Sequence, residues 1–325
     1  MKKYLYIAIA AATLASCSQD EVMEVAEKEA ITFGNVFVGK STRAAEDPSY
    51  SNKDNVIKSF QLFGTVNNVN IYKDVTVSNT NYSDADKNYG YGEIWSCPVT
   101  QYWIPGASYK FVAIVDGKKS GVTSTTIVDG MPTSITYNAD GSTDLLCQTI
   151  SLPNNTTYET VGFNFNHLLS KAKFTVTNTT PEATMFKHVI TDIKISNAYA
   201  SNTYDVVNET WGTGTTGDGQ TFDAITATGA TTECANEKLL IPGLTEAKVE
   251  FKVNLYYVEK DKEDQLVSTT DYTGNKALKA TITDGMKANY SYNFTFNVGV
   301  GKEITFTVSE LPEWTNSDPQ YVTVQ

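Results

Sequence analysis

Along most of the chain, apolar residues alternate with polar ones in short runs separated by turn residues, the period-two signature of half-buried β-strands. The pattern predicts strands over Ile31 to Val38, Val56 to Val66, Tyr109 to Val115, Leu145 to Ile150, Lys173 to Thr177, Val189 to Ser196, Lys248 to Val258, Ala277 to Ile282, Tyr290 to Val298 and Glu303 to Val308. Between them, Asn67-Asn68, Asp116-Gly117, Asp129-Gly130, Asp140-Gly141, Asp218-Gly219, Thr273-Gly274-Asn275 and Asp284-Gly285 tolerate positive φ or brace a turn with their side chains. No segment keeps a helical period for more than a few turns. The prediction is an all-β sandwich or barrel architecture, not alternating βαβ units. Trp103-Ile104-Pro105-Gly106 leads into alternating Tyr109, Phe111, Ala113 and Val115, and Leu240-Ile241-Pro242-Gly243 leads into Val249, Phe251, Val253 and Leu255. The two glycines are 243 − 106 = 137 positions apart, a domain-sized offset that suggests two domains with a boundary near Asn166 to Lys171.

Composition agrees with this picture. The 325 residues include 19 Tyr and 14 Phe, residues suited to pleated surfaces, and 41% are hydrophobic, enough for two cores. Lys and Arg number 25 against 37 acids, and the net charge of −12 repels phosphate backbones, which excludes nucleic acid as a partner. Two His and four Cys leave little material for a zinc site or a Ser/His/Asp constellation. The glycine-rich run from Gly212 to Gly219 lacks the Gly-Lys-Ser/Thr ending of a phosphate loop. Glu259, Asp261, Glu263 and Asp264 lack the spaced ligands and turn glycine of a calcium loop. No nucleophile or carboxylate pair stands at a recognisable spacing, so the sequence points away from an enzyme and calls for no metal and no cofactor.

The N-terminus reads as an address. Lys2 and Lys3 precede an apolar run, Tyr4 to Ala12, too short to remain as a membrane span, which needs ~20 apolar residues. Leu14-Ala15-Ser16-Cys17 then resembles the bacterial lipobox, in which the cysteine thiol is diacylated before cleavage on its N-terminal side. Residues 1–16 are therefore expected to leave as a lipoprotein signal peptide, with Cys17 lipidated and holding the precursor at the outer membrane. The mature chain would have 325 − 16 = 309 residues. Cys97, Cys147 and Cys234 remain, an odd number that rules out a complete disulfide framework. A Cys97–Cys147 bridge is possible, but three small buried hydrophobes is the favoured reading.

Four further stretches carry a resemblance. Tyr102-Trp103-Ile104-Pro105 followed by Tyr109-Lys110-Phe111-Val112-Ala113 is similar to the aromatic-proline-strand motif of the first domain of the fimbrillin family, the type V pilins of Bacteroidetes, although Trp-Pro is the commoner form. Phe163-Asn164-Phe165-Asn166-His167-Leu168-Leu169-Ser170-Lys171-Ala172-Lys173-Phe174 resembles the interdomain signature of that family. Ile31-Thr32-Phe33 leading to Thr42-Arg43-Ala44 resembles its N-terminal strand and processing site, and Glu303 to Val308 with Trp314-Thr315 resembles its ending. The resemblance implies two transthyretin-like (Greek-key) β-sandwich domains in tandem, an acylated precursor, Arg-specific proteolysis and polymerisation by β-strand exchange. The expected layout is a tether and N-terminal strand over 17–43, removed by processing, then an N-terminal sandwich over 44–166 and a C-terminal sandwich over 167–325 that ends in donor strands.

Arg43 is the only arginine in the chain, so a protease that pairs bidentately with a guanidinium has a single possible site, between Arg43 and Ala44. Cleavage there would displace Ile31 to Val38, in which Ile31, Phe33 and Phe37 are expected on one side and Val36 and Val38 on the other. In a neighbouring subunit the vacated place would be filled by C-terminal donor residues, Ile304, Phe306 and Val308 on one strand and Val322 and Val324 on another. The leading expectation is a structural subunit of a fimbria, whether stalk, tip or adaptor, with other fimbrial subunits and an Arg-specific protease as partners and an unnamed surface receptor. The alternative is a monomeric glycan-binding surface lipoprotein that uses Trp95, Trp103, Trp211 and Trp314 as stacking platforms.

Overall fold

The computed structural model describes residues 28–38, 57–79, 82–83, 88–89, 95–115, 121–179, 185–227, 230–234, 236–259, 261–312 and 320–322. The principal strands are β1 (Phe33–Val38), β2 (Ser59–Val66), β3 (Val69–Asn79), β4 (Trp95–Ser96), β5 (Ala107–Val115), β6 (Val122–Val128), β7 (Met131–Asn138), β8 (Leu146–Asn155) and β9 (Val161–His167) in the first half. In the second half they are β10 (Ser170–Asn178), β11 (Phe186–Ile195), β12 (Tyr199–Asp205), β13 (Glu246–Tyr257), β14 (Leu266–Tyr272), β15 (Tyr290–Val298), β16 (Thr305–Pro312) and β17 (Gln320–Val322). The only helical element among the described residues is a three-residue 3-10 turn, Gly274–Lys276. The fold is all-β, with two sandwiches in tandem.

The first sandwich is built on one seven-stranded sheet in the order β1-β9-β8-β5-β2-β3-β4. Its inner face closes on an aromatic core of Phe33, Phe60, Tyr72, Trp95, Trp103, Tyr109, Phe111, Phe163 and Phe165. The second sandwich packs the sheet β10-β15-β16-β17 against the sheet β11-β13-β14, around Phe174, Phe222, Phe251, Phe294 and Phe296. Between them lies a third sheet that neither half makes alone. β12, from the second half, pairs antiparallel with β7 from the first, aligning Ser201 with Asn138 and Asp205 with Ser134. This sheet covers the outer face of the first one over a core that takes Val112, Ile114, Ile135, Tyr137 and Leu145 from one half and Leu168, Leu169, Tyr204, Val206 and Ile241 from the other.

The turn residues act as their chemistry requires. Asn67 and Asn68 have φ of 47° and 65°, and Asp129 and Gly130 have 49° and 77°, so each pair makes a hairpin in which both central residues have positive φ. The glycines of the two Ile-Pro-Gly turns, Gly106 and Gly243, also have positive φ, 72° and 99°.

Along the 163–174 stretch, successive side chains pass from one core to the next. Phe163 and Phe165 enter the first core, Leu168 and Leu169 the shared one, and Ala172 and Phe174 the last. His167 Nδ1 lies 2.6 Å from Asp144 Oδ2, and the Ser170 hydroxyl donates to the Lys287 carbonyl at 2.8 Å. His167 therefore has a bonding role at the junction.

Cys97, Cys147 and Cys234 are free thiols. Cys97 packs against the aromatic core and Cys147 lies in the shared core, on opposite faces of the first sheet, so no bridge joins them.

Candidate functional site

Residues 29–38 close the first sandwich. The segment opens by pairing antiparallel with the stretch after β4: the Ile31 N–H donates to the Gln101 carbonyl at 2.8 Å and the Trp103 N–H donates to the Glu29 carbonyl at 2.9 Å. It then crosses to the other end of the same sheet, where β1 runs parallel to β9 and aligns Phe33 with Val161 and Val38 with Phe165. The sheet has curled until its two ends almost meet, and this one segment bridges them. Ile31 and Phe33 are 5% and 3% exposed, within the range of the core residues around them.

Phe33 is the anchor. Its ring stands edge-on to Tyr72 at 5.5 Å and to Phe111 at 6.1 Å, and stacks beside Phe163 at 6.3 Å. Each such aromatic pair contributes ~0.5–1.5 kcal/mol beyond the burial of its area. The slot is electrically neutral. Burial, with the nearby Cys97 thiol and Tyr109 hydroxyl adding to it, raises the Tyr72 pKa, so its ring stays uncharged beneath Phe33.

The strict alternation expected over Ile31 to Val38 is broken. The register with β9 slips between Gly34 and Phe37, and across this bulge Val36 packs against the same core as Ile31 and Phe33 instead of facing away. Gly34 fits the crowding there, since a Cβ at this position would stand 3.0 Å from the Thr160 methyl. Phe37 and Val38 continue β1, but their side chains lie outside the described residues, as do Cys17, Arg43 and Ala44.

At the other end of the chain, β16 is seated between β15 and β17 of the second sandwich. Phe306 and Val308 are buried on one face with Ile304 packed beside them, and Thr305 and Thr307 are exposed on the other. Phe306 lies 5.8 Å from Phe294 and 5.2 Å from Phe296. Val322 aligns with Val308 across the β16–β17 pair, which spans three residue pairs, and Val324 lies outside the described residues.

The three tryptophans among the described residues do not form a stacking platform. Trp95 and Trp103 are 9% and 6% exposed inside the aromatic core. Trp211 packs against the shared core and donates its Nε1–H to the Leu168 carbonyl at 2.8 Å. Trp314 lies outside the described residues. Sandwich interiors need large apolar rings, and that demand has taken these three.

Among the described residues, no three His, Cys, Asp or Glu side chains gather as a metal site would, and no helix is long and apolar enough to cross a membrane.

A fimbrial protein of Bacteroides vulgatus has a similar fold, with a TM-score of 0.62 at 16% identity over 87% of this chain and 99% of that one. A candidate cell adhesion protein of Bacteroides uniformis aligns with a TM-score of 0.48 at 18% identity, over 89% and 98%. A fimbrial assembly protein of Parabacteroides distasonis aligns with a TM-score of 0.42 at 12% identity, over 90% and 100%. No curated protein matches the sequence. The sequence itself matches the fimbrillin-like family over residues 42–314, and with most of the chain inside that match the protein belongs to the fimbrillin-like family, as a structural protein and not an enzyme.

Proposed function

We propose that this protein is a structural subunit of a cell-surface fimbria, exported as a lipoprotein acylated on Cys17, cut between Arg43 and Ala44, and joined to its neighbours by exchange of a β-strand. The observation that carries this reading is the placement of residues 29–38. They fill a slot between the two ends of the first sheet, their side chains enter its aromatic core, and they precede the sole arginine by a few residues. Cutting at Arg43 would turn an internal strand into a separate fragment held only by non-covalent contacts. Its departure would leave an apolar groove beside an unpaired edge of β9, a state that captures complementary strands.

The units of this mechanism are the tether and strand over 17–43, the acceptor sandwich over 44–166 and the donor-bearing sandwich over 167–325. β16 and β17, with Ile304, Phe306, Val308, Val322 and Val324, supply the donor, and head-to-tail contacts of this kind propagate instead of closing. Adhesion to a surface receptor is the purpose such a fibre would serve.

The test is made on cells and on purified protein together. Cys17→Ala should abolish labelling with palmitate and membrane attachment. Arg43→Ala should block processing and assembly, and deletion of residues 303–325 should leave a folded, cleavable monomer that cannot extend a fibre. Mature surface protein that still begins at Cys17, or fibres of undiminished length from the truncated chain, would refute the reading.

A further inference from the structure

The first sheet is torn beside the slot. β8 and β9 pair antiparallel only at Leu146 with His167 and at Cys147 with Asn166. Continued in the same register, the ladder would join Gln148 to Phe165 and so on to Leu152 with Val161. Among the described residues those pairs are not made. A cavity of about 180 Å³ lies in the tear, lined by Ile150, Leu152 and Asn155 of β8, Val161 and Gly162 of β9, and Trp103 from beneath. Most of its wall is apolar and belongs to the aromatic core, with Thr157, Glu159 and Thr160 at its rim.

One buried polar atom is left over on the cavity wall, and a second lies further along β8, outside the cavity lining. Trp103 Nε1, on the cavity wall, is a donor with no hydrogen-bond partner among the described residues. Gln148 Oε1 is an acceptor with none, and Gln148 precedes Ile150 on the same face of β8, where the ladder stops. Buried donors and acceptors are nearly always satisfied in folded proteins, so Trp103 Nε1 leaves the cavity wall with a donor that an occupant of the cleft could satisfy.

We propose that this cleft is the seat where the C-terminal strand of a second copy first engages, before it takes the place of β1. Three features select an extended peptide. The facing edges of β8 and β9 are unpaired along five positions and need backbone N–H and carbonyl partners. The cavity holds one large apolar side chain. Its wall is continuous with the slot, because Val161 and Gly162 line the cavity and also pair with Phe33 and Gly34 of β1. A strand seated in the tear therefore lies on the opposite edge of β9 from β1, so it can engage while β1 is still in place and move across once the slot is vacated. This rests on the strand-exchange reading above and specifies where exchange starts.

The test places a photo-cross-linking amino acid at position 152 of the full chain, cleaved after Arg43 and allowed to assemble. Cross-links from position 152 to residues 303–322 of a second copy are expected, together with an assembly rate at least tenfold lower in Leu152→Trp, which fills the cavity, at unchanged cleavage. Trp103→Phe keeps an aromatic ring in the core and removes the donor, and it carries the rate test if Leu152→Trp fails to fold; it should slow assembly several-fold. Assembly at wild-type rate by either folded variant, or cross-links from position 152 only within one chain or to another segment, would overturn the proposal. The strand-exchange reading itself fails separately, if the chain lacking residues 303–325 still assembles.

Discussion

Replacing Phe33 by alanine tests how β1 is held. The phenylalanine ring is 3% exposed and touches Tyr72, Phe111 and Phe163. Truncating a buried Phe to Ala costs ~3–5 kcal/mol, because the transfer energy of the ring is lost and the space it leaves closes only in part. In the intact chain this loss should lower the guanidinium midpoint without changing the slope. After cleavage at Arg43 it falls instead on the attachment of the fragment that contains β1. At 1.4 kcal/mol per factor of ten, ~4 kcal/mol weakens that hold roughly a thousandfold. Native mass spectrometry of the nicked protein over time reads the released fragment directly. Phe33→Leu keeps much of the volume and should release it at an intermediate rate. A nicked Phe33→Ala protein that retains the fragment with the wild-type half-life would show that the strand is held by something other than its aromatic anchor.

Other expectations follow from single features of the fold. Cys147 is buried in the shared core and burial pushes its thiol up to about 12, so Ellman's reagent should reach it only on unfolding, later than the partly exposed Cys97 and Cys234; rapid modification of native Cys147 would contradict this. Burial lowers the pKa of His188, so the folded state binds fewer protons than the unfolded chain at mildly acidic pH. Stability should be full above the ordinary histidine value of 6.5 and fall as the pH drops from there toward the lowered folded value, by at most ~1.4 kcal/mol per unit. His188→Gln should flatten that part of a denaturation midpoint against pH plot, and an unchanged slope would discount the histidine. Ile135 lies fully buried in the core that both halves share. Ile135→Ala should cost ~2–5 kcal/mol and move a single calorimetric transition of the whole protein; two transitions, only one of them shifted, would mean that the sandwiches unfold independently.

The elements legible in the sequence are those whose burial shows in their own residues. Each strand predicted from alternation over Tyr109 to Val115, Lys173 to Thr177, Lys248 to Val258 and Tyr290 to Val298 is a central strand with an apolar face in a core, and the first of them is buried on both faces. β6, with Val122-Thr-Ser-Thr-Thr-Ile-Val, and β14, from Leu266 to Tyr272, were not legible because they are edge strands that bury little. β12, Tyr-Ala-Ser-Asn-Thr-Tyr-Asp, is polar along most of its length and becomes a strand because β7 lies beside it, a partner 67 positions away that no local pattern reveals. Of the candidate site, the burial of Ile31 and Phe33 could be read from their spacing, whereas the position of Val36 could not. A bulge changes which face a residue occupies without changing the sequence of residue types. The tear between β8 and β9 left no signal either, since Leu146 to Asn155 and Val161 to His167 both alternate as paired strands would.

The parallel pairing of β1 with β9 also sets an order of events in time. Phe33 meets Val161, so 161 − 33 = 128 further residues must be made before β1 has β9 to pair with. The N-terminal strand is thus among the last to find its place, and long loops of this kind close slowly. Until that long loop closes, the other strands of the sheet must hold together with the place of β1 empty. A sandwich that can exist in that condition while folding would, under the strand-exchange proposal, be equipped to exist in it again once the strand is cut away, and the waiting state of folding and the acceptor state of assembly would be the same state. Pulsed hydrogen exchange during refolding would see it as protection at Tyr109 to Val115 that precedes protection at Val161 to Phe165.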